Sequence, residues 1–125
     1  MEDFVRNLNE LALENKFFRQ VLETGEAMQV VVMSLEPGQD IGAEVHENTE
    51  QVLICMYGQG QAIIDDYQHD FNTGDMMLVK AGREHNFVNT GQDEMKIVTI
   101  YSPPQHQDGI VHETKADAES DEAGI

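Results

Sequence analysis

Basic side chains are scarce in this sequence. Seven lysines and arginines stand against 24 aspartates and glutamates, for a formal net charge of −17. A chain so short of cations has no basic patch for phosphates and repels nucleic acid and anionic membranes, so neither is expected as a partner. Cysteine is almost absent as well, and Cys55 alone cannot close an internal disulfide. No apolar run approaches the ~20 residues that span a bilayer. The N-terminus lacks the basic region followed by an apolar core that marks a signal peptide, and the expected location is the cytoplasm. A nucleotide-phosphate loop, a nucleophilic Ser-His-Asp order, a paired-cysteine zinc motif and a solenoid or propeller repeat are missing too. At 125 residues the chain can bury one core and leaves no room for a second domain. Its acidity fits two accounts, a high-salt cytoplasm that screens self-repulsion or ordinary solubility, and composition does not separate them.

What is present begins with one amphipathic helix. Phe4, Val5, Leu8, Leu11 and Ala12 form an apolar stripe between Glu2 and Asn15, and Glu2 and Asp3 lie where a helix N-terminus favours negative charge. Residues 1–16 are therefore expected to form a helix packed on the rest of the domain. From Phe17 onward the helical period is lost, and β-rich segments recur every 8 to 12 residues, separated by turn residues such as Pro37-Gly38, Gly58-Gln59-Gly60 and Asn72-Thr73-Gly74-Asp75. About ten short strands between residues 17 and 104 predict an all-β sandwich or barrel. Ser102-Pro103-Pro104 stops the sheet, because proline cannot donate to the ladder. Residues 105–125 read as an irregular acidic tail.

Two stretches carry candidate chemistry. A period of two puts Glu44, His46 and Asn48 on one face, and Gln51, Leu53, Cys55 and Tyr57 on one face of the next strand. A hairpin through Glu47–Glu50 would set His46 opposite Gln51. Further on, His85, Phe87 and Asn89 share a face. Two imidazoles reaching one cavity from separate strands suit zinc, iron, nickel or copper. The same pair could instead be a polar, hydrogen-bonded couple inside the barrel, and spacing leaves both readings open.

The second stretch, Gly74, five residues, Lys80-Ala81-Gly82, two residues, His85, three residues and Asn89, resembles the second motif of the cupins, with lysine where that motif has proline. His46 through Gly58 resembles a degraded first motif. His46 fits its first histidine, Asn48 stands in place of the second, and Gln51 replaces the glutamate. The resemblance runs from about Gln29 to Asp117 and extends to small single-domain cupins often named mannose-6-phosphate isomerase-like. It implies a double-stranded β-helix, or jelly-roll barrel, with one short N-terminal helix. It also implies a divalent metal (zinc, iron, nickel or manganese) drawn from His46, Gln51, His85 and Asn48. Since glutamine brings no charge, Glu44 on the strand face of His46 and Glu50 in the turn are further candidates.

Other residues have weaker claims. Cys55 reads as a small buried hydrophobe, His106 and His112 as surface histidines and His69 as a residue without a role, while Lys80 either reaches an anionic ligand at the rim or sits in solvent. Three functions follow from the resemblance. The first is a metal-binding cupin acting on a small polar or anionic metabolite, isomerase-like in its sugar-phosphate form. The second is a non-catalytic binding or sensing module, and the third a non-haem iron dioxygenase. A homodimer is expected, with Phe17, Phe18, Val21 and the Met28–Leu35 strand at its contact.

Overall fold

The computed structural model describes residues 3–121. Its N-terminal helix is shorter than the apolar stripe suggests: α1 spans Leu8–Glu14. Asn7 sets its start by accepting the Glu10 N–H at 3.0 Å, a cap that satisfies one orphan donor of the first turn. Phe4 and Val5 precede the helix and are exposed, Asp3 lies outside it, and Glu2 falls outside the described residues. Ala12 is the buried residue of α1 and packs on Val32 and Val98. At the far end Asn15 ties back to Phe17 through its side chain, and the buried Lys96 ammonium holds the Asn15 carbonyl at 2.6 Å, Ser34 Oγ at 3.0 Å and Glu94 at 2.8 Å. An ammonium with three oxygen partners tolerates burial that would otherwise be prohibitive.

Ten strands follow: β1 (Arg19–Thr24), β2 (Gln29–Leu35), β3 (Glu44–Val45), β4 (Glu50–Tyr57), β5 (Gln59–Ile64), β6 (Tyr67–Asn72), β7 (Met76–Val79), β8 (Glu84–Asn89), β9 (Met95–Ser102) and β10 (Val111–His112). They form a six-stranded sheet, β10-β1-β2-β9-β4-β7, and a four-stranded sheet, β3-β8-β5-β6, with every pairing antiparallel. The fold is the expected all-β double-stranded β-helix. Leu53 and Cys55 of β4, Met33 and Leu35 of β2, Ile97 of β9, and Phe71 and Phe87 of β6 and β8 fill the space between the sheets. Among the described residues no helix is long and apolar enough to cross a membrane.

The expected hairpin between β3 and β4 does not form. β3 pairs with β8, whereas β4 pairs with β7 and β9, so His46–Thr49 crosses from the small sheet to the large one. The chain likewise changes sheets between β8 and β9. Local turn chemistry proposes a hairpin, but β4 turns Gln51, Leu53 and Cys55 inward and β3 turns Glu44 inward, and placing the two segments in facing sheets directs both faces to one interior.

The tail also departs from expectation. β10 pairs with β1, and α2 (Lys115–Ser120) begins with Thr114 and Asp117 capping each other's backbone N–H groups. Ala118 enters the core, and His112 and His106 are buried rather than on the surface. Gln29, fully buried on β2, holds this segment by donating to the His106 carbonyl at 2.8 Å and accepting from the N–H groups of Gln105 and His106. Phe18 and Val21, expected at a dimer contact, are likewise core residues.

Where two strands approach most closely, glycine is required. A Cβ on Gly60 would stand 2.3 Å from the Val88 carbonyl oxygen of the paired strand, whereas one on Gly25 meets its nearest neighbour at 3.4 Å. Gly60→Ala should therefore destabilise the fold by about 2 kcal/mol or more. Gly25→Ala should stay within about 0.5 kcal/mol of wild type, both read by thermal denaturation.

Candidate metal centre

β3 is two residues long, yet it carries the centre. Antiparallel register sets Glu44 directly opposite His85 on β8, and the pleat returns His46 to the same face two positions later. The flanks of β3 are tied down: the Gly42 N–H donates to Asn86 Oδ1 at 3.0 Å, and the His46 carbonyl accepts the Gly82 N–H at 2.9 Å. One ligand atom each from Glu44, His46 and His85 can be chosen so that all lie within 4.8 Å of one another.

The hydrogen-bonding state of the imidazoles favours ligation. His85 Nδ1 lies 3.1 Å from the Arg83 carbonyl, which can only accept, so Nδ1 carries the proton and Nε2 presents a lone pair. That Nε2 is buried without a hydrogen-bond partner. His46 Nε2 is 3.0 Å from Glu44 Oε2, close enough for an ion pair, but it too lacks a partner at hydrogen-bond angles. Two groups that converge without being aligned as donor and acceptor are arranged as co-ligands are. The rings of His46 and His85 lie 5.1 Å apart, and Tyr101 closes the group with its ring 5.9 Å from His46.

Burial pushes the Glu44 carboxyl up, but the adjacent His46, the Arg19 guanidinium and His85 together hold it below its ordinary value, so it is ionised at neutral pH. Burial drives the His85 pKa down, against the opposing pull of the Arg83 carbonyl, and the neighbouring His46 adds to the lowering. Both groups are thus in the ligating form at neutral pH. Burial likewise raises the Tyr101 phenol, keeping it protonated.

Of the candidates named from sequence, Glu44, His46 and His85 come together. Gln51 approaches from the opposite sheet, where its Nε2 donates to Thr99 Oγ1 at 2.9 Å and its Oε1 is buried without a hydrogen-bond partner. Asn48 and Glu50 are exposed and stand apart from the group, because the chain is turning at Asn48 and the alternation that directs Gln51 inward directs Glu50 out. Lys80 and His69 are exposed. Cys55 is sealed in the core with its thiol pushed up to about 11, chiefly by burial, and is an inert hydrophobe. Tyr57, expected on the inward face with Cys55, is turned out by a register shift in β4. Sequence reading missed Arg19 and Tyr101. Arg19 stands two residues before the inward Val21 on β1, and a charge in the apolar phase of a strand was the available signal.

Residues 31–101, more than half of the chain, match the family model for the cupin domain. The chain belongs to the cupin family. It is similar to the uncharacterized protein YrkC of Bacillus subtilis, at 41% identity over 92% of this chain and 65% of that one, so it spans just under two thirds of that relative's length. Among solved structures, BH2720 from Bacillus halodurans superposes with a TM-score of 0.94 at 38% identity, covering 95% of both chains. Neither name bears on mannose-6-phosphate isomerase chemistry, and that part of the resemblance finds no support. The cupin barrel explains why His46 and His85 meet, and its donor set, two imidazoles and a carboxylate, fits a divalent metal.

The two shifts separate in pH. His85 titrates lower folded than at its ordinary 6.5, so its contribution to stability is complete above that pH and is lost as pH falls through the lowered value. Glu44, also lowered, contributes above 4.5 and loses that contribution in a more acidic window. Thermal melts of metal-free protein should show stability declining first below pH 6.5 and further below pH 4.5, and His85→Gln should remove the upper step while leaving the lower.

Proposed function

We propose that this cupin binds a divalent metal through Glu44, His46 and His85 and takes a small anionic metabolite beside it. The observation that carries this reading is the convergence of Glu44, His46 and His85, in which the buried His85 Nε2 lacks a hydrogen-bond partner and His46 Nε2 lies 3.0 Å from the ionised Glu44 carboxylate. Leaving the His85 Nε2 buried and unsatisfied costs about 1–3 kcal/mol, a cost that a bound cation removes. When present, the metal would supply Lewis-acid polarisation of a ligand oxygen. The residues do the rest. The Arg83 carbonyl fixes the His85 tautomer, His46 and then Arg19 hold Glu44 ionised, and the buried Tyr101 ring packs edge-on against His46.

A second reading, the non-haem iron dioxygenase, is favoured by one feature: Glu44 supplies the carboxylate that Gln51 does not, completing a two-histidine, one-carboxylate set. Oxygen uptake by iron-loaded protein across thiols, diketones and phenols tests it. The homodimer, if it draws on the remaining apolar surface, would use the β7 edge of the large sheet, where Met76 and Leu78 are exposed.

Metal analysis and zinc calorimetry on protein without a histidine tag test the main proposal. His85→Ala should weaken binding by at least about 100-fold, about 2.7 kcal/mol. Gln51→Glu should change it by less than about 3-fold, because Glu44 already fills the carboxylate place. A wild-type protein that binds no divalent ion tighter than about 1 mM overturns the reading.

A further inference from the structure

Arg19 is the charged group inside the barrel to which metal binding gives no direct task. Its side chain is 3% exposed, one terminal nitrogen stands 3.9 Å from Glu44 Oε1, beyond hydrogen-bond range, and its Nε is buried without a hydrogen-bond partner. It does not hang from a mobile loop. Backbone pairing on both sides, with Met33 of β2 and His112 of β10, fixes where the side chain enters. A guanidinium stays charged and offers its donors in a planar fork, the geometry that matches a carboxylate.

Charge balance gives the direction. Without metal, Arg19 and Glu44 offset each other. With a divalent cation, the cation and Arg19 outweigh Glu44 by two charges, and a buried site with that surplus calls for an anion. A cavity of about 60 Å³ lies beside Arg19 and Glu44, bounded by Phe18, Ile41, Lys115 and Ala118, with the exposed Glu119 at its outer edge. It has room for a group of a few heavy atoms but not for a sugar phosphate while α2 is in place. Lys115, at its rim, is held by Asp40.

We propose that Arg19 binds the carboxylate of a small organic acid whose second oxygen donor lies at the Glu44–His46–His85 centre. The assignment rests on the metal reading above and names the class of its ligand. In a protein with an overall charge of −17, such a group gives an anion a reason to enter.

The test is calorimetric. Zinc is titrated into metal-free wild type, Arg19→Gln and Arg19→Lys, and pyruvate and inorganic phosphate are then titrated into each zinc-loaded protein. Pyruvate should bind wild type more tightly than phosphate does. Arg19→Gln should weaken pyruvate by at least about 10-fold, about 1.4 kcal/mol, while zinc is still taken up, because Glu44, His46 and His85 are all retained. Arg19→Lys, which keeps the charge without the fork, should fall between and serves if the glutamine variant does not fold. Equal pyruvate affinity in wild type and the folded variants, tighter phosphate than pyruvate, or no pyruvate binding to zinc-loaded wild type overturns the assignment. Failure of wild type to take up zinc marks failure of the metal reading instead. In that case pyruvate binding to metal-free wild type decides the role of Arg19: loss in Arg19→Gln upholds it, and no loss or no binding ends it.

Discussion

The register of one two-residue strand governs what this barrel can do. β3 contributes only Glu44 and Val45, but its antiparallel pairing with β8 sets Glu44 opposite His85 and, through the pleat, His46 beside both. A slip of one residue would turn Glu44 and His46 outward and replace them with Val45, since side chains alternate with period two. So short a strand cannot hold register by its own ladder. The links at its two ends, Gly42 to Asn86 and Gly82 to His46, therefore determine the centre as much as its ligands do.

Asn86 joins that register to the far end of the chain. Its Oδ1 accepts the Gly42 N–H while its Nδ2 donates to Asp40 at 2.8 Å, and Asp40 in turn holds Lys115 at the start of α2. Those bonds keep the Asp40 carboxyl below its usual range, with Asn86 the largest contributor and Lys115 the next. The C-terminal segment, strapped further by Gln29 and by the pairing of β10 with β1, thus packs against the wall that carries Arg19 and Glu44. A tail that contributes no ligand helps shape the space beside the centre.

The electrostatics of surface and interior run in opposite directions. The surface is strongly acidic, while the interior sets a guanidinium beside a single carboxylate and two imidazoles. Low dielectric makes each interior charge count for more than its exposed counterparts, so few buried groups set the character of the site despite the net charge.

Much of the architecture was legible in the residues themselves. Nine of the ten strands, their approximate bounds and the stop at Ser102 follow from alternation and turn residues, which are local properties, whereas β10 lies in the tail that read as irregular. The motif spacing around His85 and His46 pointed to the right barrel and to two of the three groups that converge. The carboxylate was left open among Glu44, Glu50 and the Gln51 position, because strand phase places a residue on a face but says nothing of which strand lies opposite. That choice depended on β3 pairing with β8 instead of β4, a contact between residues some forty positions apart. The burial of His106 and His112 was beyond local reading for the same reason. Polar residues enter a core only where distant partners or a ligand make burial tolerable, and those neighbours exist only once the sheets have closed.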